Sequence, residues 1–417
     1  MSNRRFSNKA IAKIQIILGL AISLLFGMTS CERKDLYLRV DQTQITIEMY
    51  DINLDVIWDL NWQTDFQYAW DVTSTEFGTI GYTKPELVKT VIYNVDSHTG
   101  QRYSSFFKIL DPDGGGRISL TAGSTYDMMF YNFGTEYISF SSSDDYNSFS
   151  ASTRMSTQAS WIRTRAESDN SDMPDTTKSY IDYNQPDELF GTLATGLHIN
   201  EDPTEYEKVV DEYGNITYIY RVDAALRPYT FIYMYQIIIL NNKDEQGNNR
   251  IVGAKGLTAT GLAQGVDLFT RKTFSNTISI TSEDVKPMQN HDNVYLANGD
   301  SVANADILAS RMVTWGLPGI SPLDELNQEG EYVDVNDKNF LGIGLTLRNG
   351  YTKNVTIDIT DQMHARKNVA GGIITVYIDA NESVKQEDLD RKPSQNGGGF
   401  NASVQDWANE VNAEVTI

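Results

Sequence analysis

Apolar and polar positions alternate with a period of two along most of this chain, the mark of strands with one face in a core and one in water. In residues 54–62, Leu54, Val56, Trp58, Leu60 and Trp62 fall on one side, and Asp55, Asp59 and Asn61 on the other. The same pattern predicts strands at 44–49, 90–95, 103–110, 117–121 and 125–133, with a turn at Asp111-Pro-Asp-Gly-Gly-Gly116. Strands resume at 189–199 and 216–222, and two strongly apolar segments, 229–240 and 251–262, follow Pro228. Further strands are expected at 340–347, 355–359, 373–378 and 411–417. Residues 281–338 are turn rich, with short helices expected at 302–312 and 322–327. No long amphipathic helix competes, so the reading is an all-β chain of two antiparallel β-sandwiches in tandem. The first domain is placed at 31–226 and the second at 227–417, divided near Arg227-Pro228. The Ser-, Asp- and Thr-rich stretch 140–185 is expected to run as a mobile surface excursion of the first domain.

The first thirty residues break the pattern. Arg4, Arg5, Lys9 and Lys13 precede the apolar run Ile14–Phe26, 13 residues long. That is short of the roughly 20 residues a helix needs to span a bilayer, so the run reads as the core of a secretory signal peptide, residues 1–30. Gly27-Met28-Thr29-Ser30-Cys31 then resembles a bacterial lipobox, with Met28 at the apolar position. The match implies cleavage before Cys31, a diacylglycerol group on its sulfur and acylation of the new amino terminus. Several acyl chains hold a protein in a membrane stably where one does not.

Composition narrows the function. Cys31 is the only cysteine, which leaves no internal disulfide and no Cys-rich metal site. The net charge is −22, and loss of the four cations in residues 1–30 takes it to −26. Such a body lacks the basic footprint that nucleic acid requires, and it stands off an anionic membrane surface. His98, His198, His291 and His364 are scattered, and no metalloprotease, serine-hydrolase or phosphate-loop motif is present. Asp111-x-Asp113-Gly114 begins like a calcium loop, but Gly115 and Ala122 stand where an oxygen ligand and a bidentate glutamate are needed, so a hairpin turn is expected instead. No cofactor, metal or catalytic residue is assigned, and the chain is read as non-enzymatic. Trp58 and Trp62 read as core, whereas Trp70 and some of the 23 tyrosines are available for stacking on sugar rings. At the other end Val411, Ala413, Val415 and Ile417 alternate up to the last residue, as in a strand that closes its own sheet or one donated to a neighbour.

Several short stretches carry a wider resemblance. They are Cys31-Glu-Arg-Lys-Asp-Leu36 after the lipobox, Leu120-Thr-Ala-Gly-Ser-Thr-Tyr-Asp127 with Phe130-Tyr-Asn132, Gln185-Pro-Asp-Glu-Leu-Phe190, Ile357-Asp-Ile-Thr-Asp-Gln-Met363, and Gly398-Gly-Phe400 with Val404-Gln-Asp-Trp407. Together they resemble the fimbrillin-like surface lipoproteins of certain Gram-negative gut and oral anaerobes, whose members include type V pilus subunits, and most closely that family's functionally uncharacterised lipoprotein branch. The resemblance implies two transthyretin-like β-sandwiches, a lipid anchor in the outer membrane, exposure at the cell surface or in a fimbria, and partners among other fimbrial subunits, with a host protein or glycan as adhesion target. In pilus subunits a protease that cuts after arginine or lysine removes the first strand, and the groove accepts a strand from the next subunit. Carried onto this chain, the cut follows Arg39 or Lys34, the strand removed is 36–40, and the donor carries Val411, Ala413, Val415 and Ile417. The alternative function is an outer-membrane glycan-binding lipoprotein of a nutrient-uptake system.

Overall fold

The computed structural model describes residues 53–62, 82–111, 115–156, 160–162, 182–287, 293–295, 301–303, 305–326, 328–330 and 332–392. In chain order its strands begin with β1 (Asn53–Trp62), β2 (Val88–Val95), β3 (Arg102–Leu110), β4 (Gly116–Ser119), β5 (Thr125–Asn132), β6 (Ile138–Phe140), β7 (Ser150–Thr153) and β8 (Asp182–Tyr183). There follow β9 (Phe190–His198), β10 (Glu207–Val210), β11 (Ile216–Pro228), β12 (Phe231–Leu240), β13 (Ile251–Ala263), β14 (Gly265–Asp267), β15 (Thr277–Ser282) and β16 (Lys286–Pro287). The last are β17 (Asn293–Tyr295), β18 (Ser301–Ala303), β19 (Asp306–Thr314), β20 (Phe340–Leu347), β21 (Thr352–Asp358) and β22 (Gly372–Asp379). Helices are short: α1 (Pro322–Glu325), α2 (Thr360–His364), α3 (Ala380–Ser383) and α4 (Gln386–Asp390). The all-β expectation holds, and β1 to β5, β9, β11 to β13 and β20 to β22 lie where the alternation placed them, whereas β6 to β8, β10 and β14 to β17 have no counterpart in it. One element differs in kind. Residues 302–312, expected as helix, supply the end of β18 and most of β19, because β19 pairs along its whole length with β12. The expected strands 44–49 and 411–417 lie outside the described residues.

The chain divides into two units, residues 1–54 with 201–219, and residues 55–200 with 220–417. In the first, β10 pairs antiparallel with Ile216–Ile219 of β11 across a turn in which Asp211 accepts the backbone N–H groups of Tyr213 and Asn215.

The second unit holds two layered cores. One sheet runs β3-β2-β5-β9-β11, and β14-β7-β6 packs on it. Between them lie Val91, Tyr93, Met129, Tyr131, Phe149 and Trp315. The other core lies between the sheets β16-β19-β12-β22 and β21-β20-β13-β15-β8. Alternate residues of each strand enter it: Tyr233, Tyr235, Ile237 and Ile239 from β12, Leu341, Ile343, Leu345 and Leu347 from β20, and Ile374, Val376 and Ile378 from β22. Most pairings are antiparallel, but β22 lies parallel to β12 and β8 parallel to β15. Strand pairing runs across residues 227–228 in both directions. Strand β8 joins a sheet otherwise made of later residues, and β14 joins one made of earlier residues.

Parts of the stretch expected as a surface excursion, 140–185, belong to this body. Strand β7 follows the fully buried Phe149, and Trp161 is also buried. Residues 163–181 lie outside the described residues. Trp161 lies on the face of the β13–β20 pair that points away from the core. A side chain at Gly256 would come within 2.6 Å of its indole nitrogen, one at Gly342 within 2.6 Å of its carbonyl, and one at Gly344 would meet the ring itself. Three glycines thus form a trough that only a bare backbone leaves open. The Trp161 backbone N–H donates to Thr258 Oγ1 at 2.9 Å, which fixes the depth of the plug.

Asp182, at the start of β8, gives a pH prediction. Burial pushes its carboxyl up to about 6 from the ordinary 3.8, with the Thr281 hydroxyl opposing the shift. The fold therefore holds a proton here that the unfolded chain releases, and stability contributed by this group is lost as pH rises from about 4 through 6. Asp182→Asn is expected to stabilise the protein at pH 7.5 by on the order of 1 kcal/mol, since partial solvent access moderates the full shift. Thermal melts at pH 7.5 and pH 4 check this, with no gain expected at pH 4.

Candidate functional site

The second unit exposes an unusual edge. Strand β3 ends its sheet's strand order, with β2 its one strand partner among the described residues. Phe107 and Ile109 stand opposite Val91 and Lys89, while Phe106 stands opposite Ile92 on the other face. All three are exposed, as is Tyr103, and Phe107 keeps 60% of its surface in solvent. The register slips between Ile92 and Tyr93, leaving Ser105 as an extra residue. Bulges and charged side chains such as Lys108 are what natural edges use against uncontrolled pairing. A solvent-exposed edge that still carries four apolar side chains is suited to meeting another chain.

The edge is held by a buried charge. Asp127 of β5 is 1% exposed and accepts Arg102 Nε at 2.6 Å and the Gly196 N–H at 2.7 Å. The Arg102 guanidinium lies 4.7 Å from the Tyr146 ring centroid, a cation–π contact that caps the pair.

The motifs that carry the sequence resemblance have structural roles here. In Leu120–Asp127, Gly123 donates to the Ile199 carbonyl and Thr121 to the Tyr126 hydroxyl, so the turn is fastened before β5 begins. Asn132 is buried and bridges to the Gln185–Phe190 stretch, donating to the Glu188 carbonyl at 2.9 Å and accepting from the Phe190 N–H at 2.6 Å. Within that stretch Gln185 accepts from the Val313 N–H, Asp187 from the Tyr137 N–H, and Glu188 from the Thr83 N–H, and Glu188 also pairs with Arg311. The hexapeptide is a polar knot joining strands from both cores. In Ile357–Met363, Gln362 mimics a strand partner, accepting from the Thr375 N–H and donating to the Thr375 carbonyl.

The remaining candidates separate cleanly. Cys31, Lys34, Arg39, Val411, Ala413, Val415 and Ile417, and with them Trp70 and His291, lie outside the described residues. Asp111 and Gly115 close a tight hairpin by two backbone hydrogen bonds, of 2.8 and 2.6 Å. His98 meets Ser97 and His198 meets Thr125, each at 3.1 Å. His364 is buried against Asn339 Oδ1, and that burial holds its imidazole below the usual range, so it serves as a neutral core group. Among the described residues no group of three or more His, Cys, Asp or Glu side chains is placed to hold a metal ion. Among them also, no helix is long and apolar enough to cross a membrane.

Comparison with known proteins adds the following. A search of curated proteins finds no match. Among solved structures the chain is similar to a candidate adhesin from Bacteroides ovatus, with 13% identity, 78% of this chain and 92% of that one covered, and a TM-score of 0.40. It is similar to a candidate adhesin from Bacteroides thetaiotaomicron, at 8% identity over 79% of this chain and 92% of that one, with a TM-score of 0.39. It is similar as well to the fimbrial anchor protein Mfa2 of Porphyromonas gingivalis, at 8% identity over 78% and 90% of the two chains, with a TM-score of 0.35. A family model matches residues 73–279, from ahead of β2 into β15. That model is described as Domain of unknown function (DUF5119), and it is to this family that residues 73–279 of the chain are similar.

Proposed function

We propose that this chain is a non-enzymatic, fimbrillin-like surface lipoprotein that acts in fimbrial assembly and cell adhesion by β-strand donation between subunits. The observation that carries the reading is the apolar, solvent-exposed edge at β3, where Tyr103, Phe106, Phe107 and Ile109 are exposed. A strand added to such an edge gains main-chain hydrogen bonds and buries alternate side chains in one step. The sequence supplies a candidate donor in Val411, Ala413, Val415 and Ile417. An acylated Cys31 is the proposed anchor in the outer membrane, and a cut after Arg39, or after Lys34, releases the body from it. The two fates are alternatives: a cut subunit polymerises, and an uncut one stays tethered as an anchor.

Mild digestion of the purified lipid-free protein with an Arg-specific protease tests the scheme. Loss of the segment up to Arg39 followed by a ladder of oligomers on non-reducing, unheated gels is the expected result. A product that fragments and stays monomeric would defeat it. Cys31→Ala is expected to move the protein from the membrane to the soluble fraction, read by fractionation and detergent partitioning.

A further inference from the structure

Beside β3 the second unit carries a cleft of about 450 Å³ between the β2–β5 ladder and the β6–β7 hairpin. That volume falls in the range of small-ligand sites, about 300–1,000 Å³. Its back wall is aromatic. Tyr131 and Phe149 are buried with ring centroids 5.3 Å apart, and Phe140 lies 5.1 Å from Tyr131. Phe140 and Phe133 are only half-buried and line the opening. Hydroxyl groups from Thr135, Ser139, Ser141 and Ser143 line the rest.

Two cations complete the lining, and among the described residues no acid joins them, although the chain carries 56 Asp and Glu against 34 Lys and Arg. Lys89 Nζ stands 4.2 Å from the exposed Phe107 ring centroid and 6.0 Å from that of Tyr131. Arg154 is exposed, and its Nε donates to Ser139 Oγ at 3.0 Å, which steadies the guanidinium at the opening. Among the described residues neither cation has a carboxylate partner. In so acidic a protein two unpaired cations in one acid-free cleft are matched to a ligand that brings its own negative charge.

We infer that this cleft binds a carboxylated sugar, a hexuronate unit of an acidic oligosaccharide. Half-buried rings offer faces to the C–H side of a pyranose, the hydroxyls exchange hydrogen bonds with its own, and Lys89 and Arg154 pair with its carboxylate. The hydroxyl-rich, aromatic lining favours a sugar over an acidic peptide, which would need only the charges. The inference rests on the adhesion half of the proposed function and supplies it with a ligand class. It needs no strand exchange, so a protein that binds sugar without forming a ladder, or forms a ladder without binding sugar, tells the two ideas apart.

The test is calorimetric titration of the full chain in detergent with trigalacturonate, maltotriose and triglutamate. Trigalacturonate is expected to bind at least tenfold more tightly than either of the others, and more weakly as salt is raised. The substitutions Lys89→Met, at a half-buried position, and Arg154→Gln, at an exposed one, together should weaken it at least tenfold while leaving the protein folded by its melting transition. Absence of trigalacturonate binding, equal affinity for maltotriose, equal affinity for triglutamate, or full affinity in a folded double variant would each overturn the proposal.

Discussion

Replacing Asp127 with alanine is expected to destabilise the second unit by about 3 kcal/mol, the range found when one partner of a buried ion pair is removed. The carboxylate is 1% exposed and holds both Arg102 and the Gly196 N–H. Alanine leaves that N–H without an acceptor and frees the arginine that anchors the start of β3. Arg102 is more than a third exposed and can rehydrate in part, which keeps the figure below the top of the range. Asp127→Asn should cost less, since the amide oxygen still accepts from Gly196 while the charge is lost. Denaturant unfolding followed by fluorescence measures both, and a midpoint for Asp127→Ala equal to wild type would refute this account of the edge.

The second large effect is expected at the glycine trough. Trp161→Ala removes a buried indole from the three-glycine trough, and large-to-small changes of this kind cost about 3–5 kcal/mol. Gly344→Ala approaches the same site from the sheet beneath it. Its new methyl group overlaps the indole ring, and the trough offers no free space, because Gly256 and Gly342 are already in close contact with the same residue. Both variants should release the segment around 161, where Arg154, Arg163 and Arg165 provide cleavage sites. Trypsin is therefore expected to cut there several times faster than in the wild type, with new peptides identified by mass spectrometry. Unchanged cleavage in Gly344→Ala would show that the trough is not what seats the tryptophan.

The period of two located β2 to β5, β9, β11 to β13 and β20 to β22 because most of them bury one face, and burial is what the alternation records; shorter strands such as β6, β7 and β14 are too brief to show a period. It went astray at 302–312, where Val302, Ala303, Ala305, Ile307, Leu308, Ala309 and Met312 read as a helix-forming run. There the demand of β12 for a partner overrides local propensity, which is worth only tenths of a kcal/mol per residue. The Ser-rich stretch hid Phe149 and Trp161 because one or two anchoring aromatics leave no period at all. The family-like motifs were visible as strings, but their content is polar ties among Asn132, Gln185, Asp187, Glu188 and distant backbone groups, and such ties have no sequence spacing to betray them. The cleft was equally hidden. Lys89 and Arg154 lie on different strands' ends, and only the packing of β6 and β7 against β2 and β5 brings them to one opening.

The parallel seating of β22 against β12 also sets an order of events for a chain made from its amino terminus. Residues 231–240 are made first, yet their neighbour at 372–379 follows more than a hundred residues later. Until it arrives, β12 has one open side, and the core that its isoleucines share with β22 cannot close. Pairings this distant in sequence are slow to form. The interleaved β8 and β14 extend the dependence to the earlier core, which needs Tyr229, Val266 and Trp315. The earlier core therefore waits for Trp315 and the later one for Val384, so neither can be completed by the residues that begin it.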